Sequence, residues 1–80
     1  MALEGTLHRL FCQKLRAIRK ANGITQEQMA ERMGITQPSY CSLENGRFAP
    51  IIGTIEKAAL ALGVKPEELL SAKKVQPSAV

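Results

Sequence analysis

The sequence predicts an all-α fold, a compact bundle of about five short helices. Apolar residues recur at three- and four-residue steps along most of the 80-residue chain, which is the spacing of one helix face. Capping residues and glycines interrupt this pattern at short intervals, as they do where helices begin and end. A chain of this length forms one domain. We predict its boundaries as 1–71, followed by a flexible tail at 72–80.

The first predicted helix is amphipathic and ends at Asn22-Gly23, since both residues tolerate the left-handed conformation of a C-terminal cap. Its apolar face carries Leu7, Leu10, Phe11, Leu15 and Ile18. The opposite face is basic, and we expect it to be solvated. Its members are Arg9, Lys14, Arg16 and Lys20.

The next two predicted helices have clear start and stop signals. Thr25 can serve as an N-cap, and Gln28 stands three residues later, where it closes a capping box. This second helix should stop at Gly34. Thr36 caps the third helix, which should end before Asn45-Gly46.

Two further helices are predicted after that stop signal. The fourth should extend from Ile52 to Leu62 and close at Gly63. Its start is weak, because Ile51 has no oxygen in its side chain to cap the helix. A short fifth helix should begin at Pro66, since proline is tolerated in a first helical turn.

Residues 26–45 have the features of a helix-turn-helix, in which two short helices cross steeply over a brief turn. Ala30 supplies the small side chain needed where the helices approach, and Gly34 supplies the permissive backbone needed in the turn. The apolar residues that can join these helices into one core are Met29, Met33, Ile35, Tyr40 and Leu43. Several independent requirements are met at fixed spacing, so we expect this motif to organise the domain.

Sequence motifs before and after residues 26–45 extend the pattern. They are Leu15-Arg16-x-x-Arg19, Gly23-Ile24-Thr25-Gln26, Leu43-Glu44-Asn45-Gly46-Arg47, Pro50 and Ala59-x-Ala61-Leu62-Gly63-Val64. With these motifs, residues 15–70 resemble the phage-repressor-like helix-turn-helix family, of the lambda and P22 repressor type. The resemblance implies a lambda-repressor-like DNA-binding domain.

The resemblance implies that the start of the third helix reads DNA bases. Gln37 opens this recognition helix, where a glutamine can pair bidentately with adenine. Pro38 and Ser39 follow on the turn that points into the major groove. Ser42 lies one turn further along the same face, where relatives often carry a longer polar side chain.

The resemblance also implies phosphate contacts and a structural ion pair. Gln26 opens the second helix, where the family's glutamine bonds a DNA phosphate and braces the first base-reading residue. The segment Asn45-Gly46-Arg47 should meet phosphates through backbone amides and the guanidinium, which supplies affinity without reading sequence. Arg19 and Glu44 occupy positions that pair in the family as a largely buried ion bridge.

The expected function is sequence-specific binding of double-stranded DNA by a transcriptional regulator. A net charge of +4 agrees with a polyanionic partner. We expect a homodimer on a pseudo-palindromic operator, because each recognition helix then enters one of two successive major grooves. The expected dimer surface lies around Ile51, Ile52, Leu69 and Leu70, since exposed apolar residues often mark an interface.

Two alternatives remain open. The protein could be an antitoxin or anti-regulator whose main target is a partner protein, because a fold does not dictate a function. It could also be a DNA-binding module of a longer protein.

Other classes of function lack the residues they need. With one histidine and no aspartate, the chain shows no nucleophile with a base and an orienting group, so we expect no catalytic residue and no enzyme. His8 and Cys12 provide two ligands where structural zinc needs four, so we expect no metal and no cofactor.

We expect no membrane span and no signal peptide. Cys12 and Cys41 lack a C-x-x-C spacing, so we expect reduced thiols and a cytoplasmic location.

Overall fold

The computed structural model describes residues 3–70, which form four α-helices followed by a 3₁₀-helix. The elements are α1 (Leu3–Ala21), α2 (Gln26–Met33), α3 (Gln37–Glu44), α4 (Ile52–Leu62) and the 3₁₀-helix (Pro66–Leu70). The all-α prediction is confirmed, but the fifth segment is a 3₁₀-helix of five residues, a form used in short pieces rather than in long helices. Within residues 3–70, no helix is long and apolar enough to cross a membrane. The predicted tail at 72–80 lies outside the described residues.

The core lies where α1 meets the other helices. This helix packs against α3, α4 and the 3₁₀-helix, while α2 packs against α3 and α4. The largest fully buried apolar side chains are Tyr40, Phe11, Leu15, Met29, Leu43 and Leu69. Because Leu69 is 0% exposed, our expectation that it contributes to a dimer surface is wrong. Ile51 and Ile52, in contrast, are 72% and 76% exposed.

Lys14 departs from the predicted basic face of α1. It is only 7% exposed, so the expectation that it is solvated is wrong. The reason is its position, three residues after Phe11 and four before Ile18, which places it on the apolar face of the helix. The long aliphatic stem of a lysine can cover apolar neighbours in this way.

The capping signals of α2 and α3 are confirmed. The Thr25 hydroxyl accepts the Gln28 amide at 3.0 Å, and the Gln28 side chain accepts the Thr25 amide at 3.0 Å. Gly34 ends α2 with a φ of 72°, a conformation that favours glycine. Thr36 accepts the Ser39 amide at 3.3 Å and so starts α3. Strong local signals therefore fix both ends of the turn between these helices.

The cap of α2 leads to a first prediction. Thr25→Ala should lower the free energy of unfolding by about 1 kcal/mol, because the first turn of α2 loses an acceptor for one of its free amides. Urea denaturation followed by circular dichroism measures this change. Thr25→Ser is the matched control and should stay near the wild type. An alanine variant as stable as the serine variant would contradict the role of the hydroxyl.

Candidate nucleic-acid interface

The N-terminal turn of α3 is the most accessible part of that helix. Gln37, Pro38 and Ser39 are all exposed, whereas Ser42, one turn further along, is half-buried. The Thr36 hydroxyl donates to the Ser39 hydroxyl at 2.9 Å, so the side chain of Ser39 is held beside the cap. Three of the four residues predicted to read bases thus lie together on one exposed turn, and Ser42 lies deeper.

The turn after α3 uses its backbone amides to finish the helix. The amides of Asn45, Gly46 and Arg47 each donate to a carbonyl in the last turn of α3, at 2.9–3.2 Å. Such carbonyls need donors at the end of a helix, so these amides are engaged within the turn in this structure, and the expected phosphate contacts of the segment stay a prediction. Gly46 instead supplies a φ of 74° that turns the chain. The Arg47 side chain is exposed.

The carboxylate of Glu44 is the centre of a network that joins α1, α2 and α3. Arg19 donates from Nε to Oε2 at 2.7 Å and from Nη2 to Oε1 at 3.0 Å. Gln26 Nε2 donates to Oε1 at 3.0 Å, Arg16 Nε donates to the same oxygen at 3.4 Å, and the Tyr40 hydroxyl donates to Oε2. The Glu44 side chain is fully enclosed, at 0% exposure. The structure thus brings together three of the predicted site residues, Arg19, Gln26 and Glu44.

Electrostatics keep this network charged. Burial alone would raise the pKa of Glu44, but hydrogen bonds from Arg19, Tyr40 and Gln26 lower it from 4.5 to about 2. The hydrogen bond to Glu44 raises the pKa of the Arg19 guanidinium. Burial, followed by the hydrogen bond to Glu44, raises the pKa of the Tyr40 hydroxyl. The ion pair therefore persists through the neutral pH range.

Two members of the network, Arg16 and Tyr40, are not among the predicted site residues. Arg16 precedes Arg19 by three residues and Tyr40 precedes Glu44 by four, so each pair shares a helix face. This spacing is the signal that could have found them. Arg16 Nη2 also donates to Asn45 Oδ1 at 3.0 Å, which places a half-exposed guanidinium beside the turn after α3.

His8 and Cys12 lie on α1, and Cys41 lies on α3. Cys12 and Cys41 are free thiols. The Cys12 thiol donates to the Leu43 carbonyl at 3.5 Å, and burial raises its pKa. In the part of the chain that the structure describes, no group of three or more histidine, cysteine or acidic residues is placed to hold a metal ion.

The arrangement defines a helix-turn-helix domain. Two short helices cross over a glycine turn, and the second of them presents its first turn to solvent while its back is anchored in the core. This is the geometry with which such domains present a recognition helix.

Comparison with known proteins places this domain in a family. The sequence model of the helix-turn-helix family matches residues 15–69. An uncharacterized HTH-type transcriptional regulator of Methanothermobacter thermautotrophicus is 43% identical over 49 residues, 61% of this chain and 71% of that protein. The immunity repressor protein of Bacillus phage phi105 is 36% identical over 53 residues, 66% of this chain and 37% of that protein.

A solved structure of a similar fold is also described as a transcription factor. The crystal structure of the hypothetical transcription factor NHTF from Neisseria is similar with a TM-score of 0.78 and 30% identity, covering 89% of this chain and 82% of that one. The chain belongs to the helix-turn-helix family, of the type found in phage repressors. The two relatives named above are described as an HTH-type transcriptional regulator and an immunity repressor protein.

Proposed function

We propose that this protein is a transcriptional regulator that binds double-stranded DNA sequence-specifically, as a homodimer on a pseudo-palindromic operator. One observation carries the proposal, the exposed first turn of α3 with Gln37 at its start. The names of relatives as transcriptional regulators and as a phage immunity repressor support it.

Base reading is assigned to the α3 turn. Gln37 is exposed and can offer both an acceptor and a donor to adenine in the major groove. Pro38 and Ser39 contact base edges beside it, with Ser39 oriented by its bond to Thr36. Ser42 is half-buried and short, so its contribution is van der Waals contact with the groove edge.

Phosphate contacts are assigned to side chains that precede and follow α3 in the sequence. Gln26 at the start of α2 and Asn45 after α3 are both held by hydrogen bonds, to Glu44 and Arg16. Arg47 adds an exposed guanidinium. Because the amides of the 45–47 turn bond to α3, side chains make these contacts, and Gly46 shapes the turn. Such contacts position the protein without reading sequence.

Dimerisation is assigned to the start of α4. Ile51 and Ile52 are among the most exposed large apolar residues of the described chain, and burying such a pair in an interface is favourable by the hydrophobic effect. A two-fold axis near this surface would relate two α3 helices, which must lie about 34 Å apart to enter successive major grooves.

The test is selection of bound duplexes from a randomised DNA pool at two salt concentrations. The wild type should enrich a two-fold symmetric site. Gln37→Ala should lose preference at one base pair in each half-site, a loss of about 1–3 kcal/mol of discrimination. Glu67→Ala, at an exposed position on the 3₁₀-helix, is the control and should keep the wild-type preference. An unchanged preference in Gln37→Ala would refute its base-reading role.

A second candidate function is binding to a partner protein as an antitoxin or anti-regulator. The observation in its favour is the apolar exposure of α4 and of the residue before it, since Ile51, Ile52 and Leu60 are 72%, 76% and 83% exposed. This function would be favoured if the DNA selection enriched no site and the protein bound DNA only weakly at low salt. Purification of a stoichiometric protein partner would then support it.

A further inference from the structure

We propose that α1 carries a second DNA-phosphate site, formed by Arg9, Gln13 and Arg16 and facing the turn after α3. This inference rests on the proposed function, because its ligand is a phosphodiester group of the same duplex. It extends the DNA footprint beyond the helix-turn-helix to the first helix of the domain.

The site is a cleft between α1 and the Asn45-Gly46 turn, with a volume of about 390 Å³. Arg9, Gln13 and Arg16 line one side. They stand at i, i+4 and i+7, so they share one face of the helix. Their span along the helix axis is about 10 Å. All three side chains are exposed, so a ligand can reach them from solvent.

The charge of the cleft suits an anion. Arg9 and Arg16 contribute two positive charges, and guanidinium groups match phosphate oxygens in geometry. The one carboxylate in the wall is that of Glu44, which is enclosed and already bonded twice to Arg19. Its charge is therefore compensated from behind, and the accessible side chains of the cleft are cationic or neutral.

Arg16 is oriented before any ligand binds. Its Nε and Nη2 donate to Glu44 and Asn45, which directs the remaining guanidinium hydrogens away from those two acceptors. The Arg16 side chain is 47% exposed. A phosphate oxygen in the cleft can accept from these hydrogens and from Arg9, while the Gln13 amide donates beside them.

The cleft is also continuous with the proposed DNA surface. Asn45 forms part of its wall and belongs to the proposed phosphate contacts of the turn. Gln26 donates to the same Glu44 oxygen as Arg16. Hydrogen bonds through Glu44 and Arg16 therefore join Gln26 and Asn45 to the wall of the cleft, so the cleft adjoins the proposed phosphate contacts.

The experiment measures the salt dependence of DNA binding for the wild type and Arg9→Ala on the selected duplex. Each phosphate contact contributes about −0.9 to the slope of log K against log salt. Because the proposed dimer carries two copies of Arg9, Arg9→Ala should reduce the steepness of this slope by about two contacts, one in each half-site, and leave the base preference unchanged. Lys57→Ala is the matched control, since it removes one exposed positive charge on α4 and should keep the wild-type slope.

Phosphate ethylation interference locates the contact. The wild type should show an interfering phosphate that Arg9→Ala no longer shows, while the positions due to Arg47 remain. Equal slopes for Arg9→Ala and wild type, or equal losses in Arg9→Ala and Lys57→Ala, would overturn the proposed cleft site. Absence of any selected duplex would overturn the proposed function itself, and the cleft site with it.

Discussion

Glu44→Gln should lower the free energy of unfolding by about 3–5 kcal/mol, because removing one partner of a buried ion pair leaves the other charge uncompensated. Arg19 is 7% exposed and makes two hydrogen bonds to Glu44. Water cannot replace the lost carboxylate at that depth. Chemical denaturation of both proteins, with the two transitions fitted to a common m-value, measures the difference.

A double-mutant cycle separates the pair from its surroundings. Arg19→Met alone leaves the Glu44 carboxylate without its main partner, so it should also destabilise strongly. The double variant Arg19→Met with Glu44→Gln should be more stable than the sum of the two losses predicts, by about 0.5–3 kcal/mol. Glu27→Gln, at an exposed position of α2, is the control for loss of a carboxylate. Additive losses in the cycle would show that Arg19 and Glu44 do not act as a pair.

Acid should weaken the fold through the same carboxylate. Its pKa is about 2 in the folded protein against 4.5 for a free group, so the unfolded chain takes up the proton first as the pH falls. The stabilisation is therefore complete above about pH 5 and is lost between about pH 5 and pH 2, and its size is about 3 kcal/mol.

Denaturation midpoints between pH 6 and pH 2 measure this dependence. The wild type should lose stability steeply on acidification, and Glu44→Gln should show a flatter profile because it has no proton to bind at this position. Glu27→Gln again serves as the control and should follow the wild-type profile. Parallel profiles for the wild type and Glu44→Gln would rule out a depressed pKa at Glu44.

Local signals in the sequence were sufficient to predict most of the fold. Thr25 with Gln28, Thr36 and Gly34 predict the boundaries of α2 and α3 because a cap depends on residues within one helical turn. Gly63 likewise predicts the end of α4, where it adopts a φ of 72°. The 3₁₀ form of the last segment was not predicted, since periodicity does not distinguish i to i+3 from i to i+4 bonding over five residues.

The candidate site was less accessible from the sequence, because its details depend on contacts between distant segments. Arg16 bonds to Glu44, 28 residues away; its spacing to Arg19 places both on one helix face, but spacing within α1 does not say which distant residue that face contacts. The use of the 45–47 amides within the turn was missed for a different reason. The resemblance implied that these amides bind DNA phosphates. In the structure they donate hydrogen bonds to the last carbonyls of α3.

The bond between Gln26 and Glu44 has a consequence for the thermodynamics of binding. A free glutamine side chain samples several rotamers, and immobilising such a side chain at an interface opposes association by about 0.5–1.5 kcal/mol. Gln26 Nε2 already donates to a buried carboxylate at 3.0 Å, so much of that entropy has been lost during folding. In the proposed complex, the Gln26 side chain is therefore already ordered before it contacts a phosphate. Folding has met this entropic cost, so binding to DNA is tighter than it would be with a free side chain.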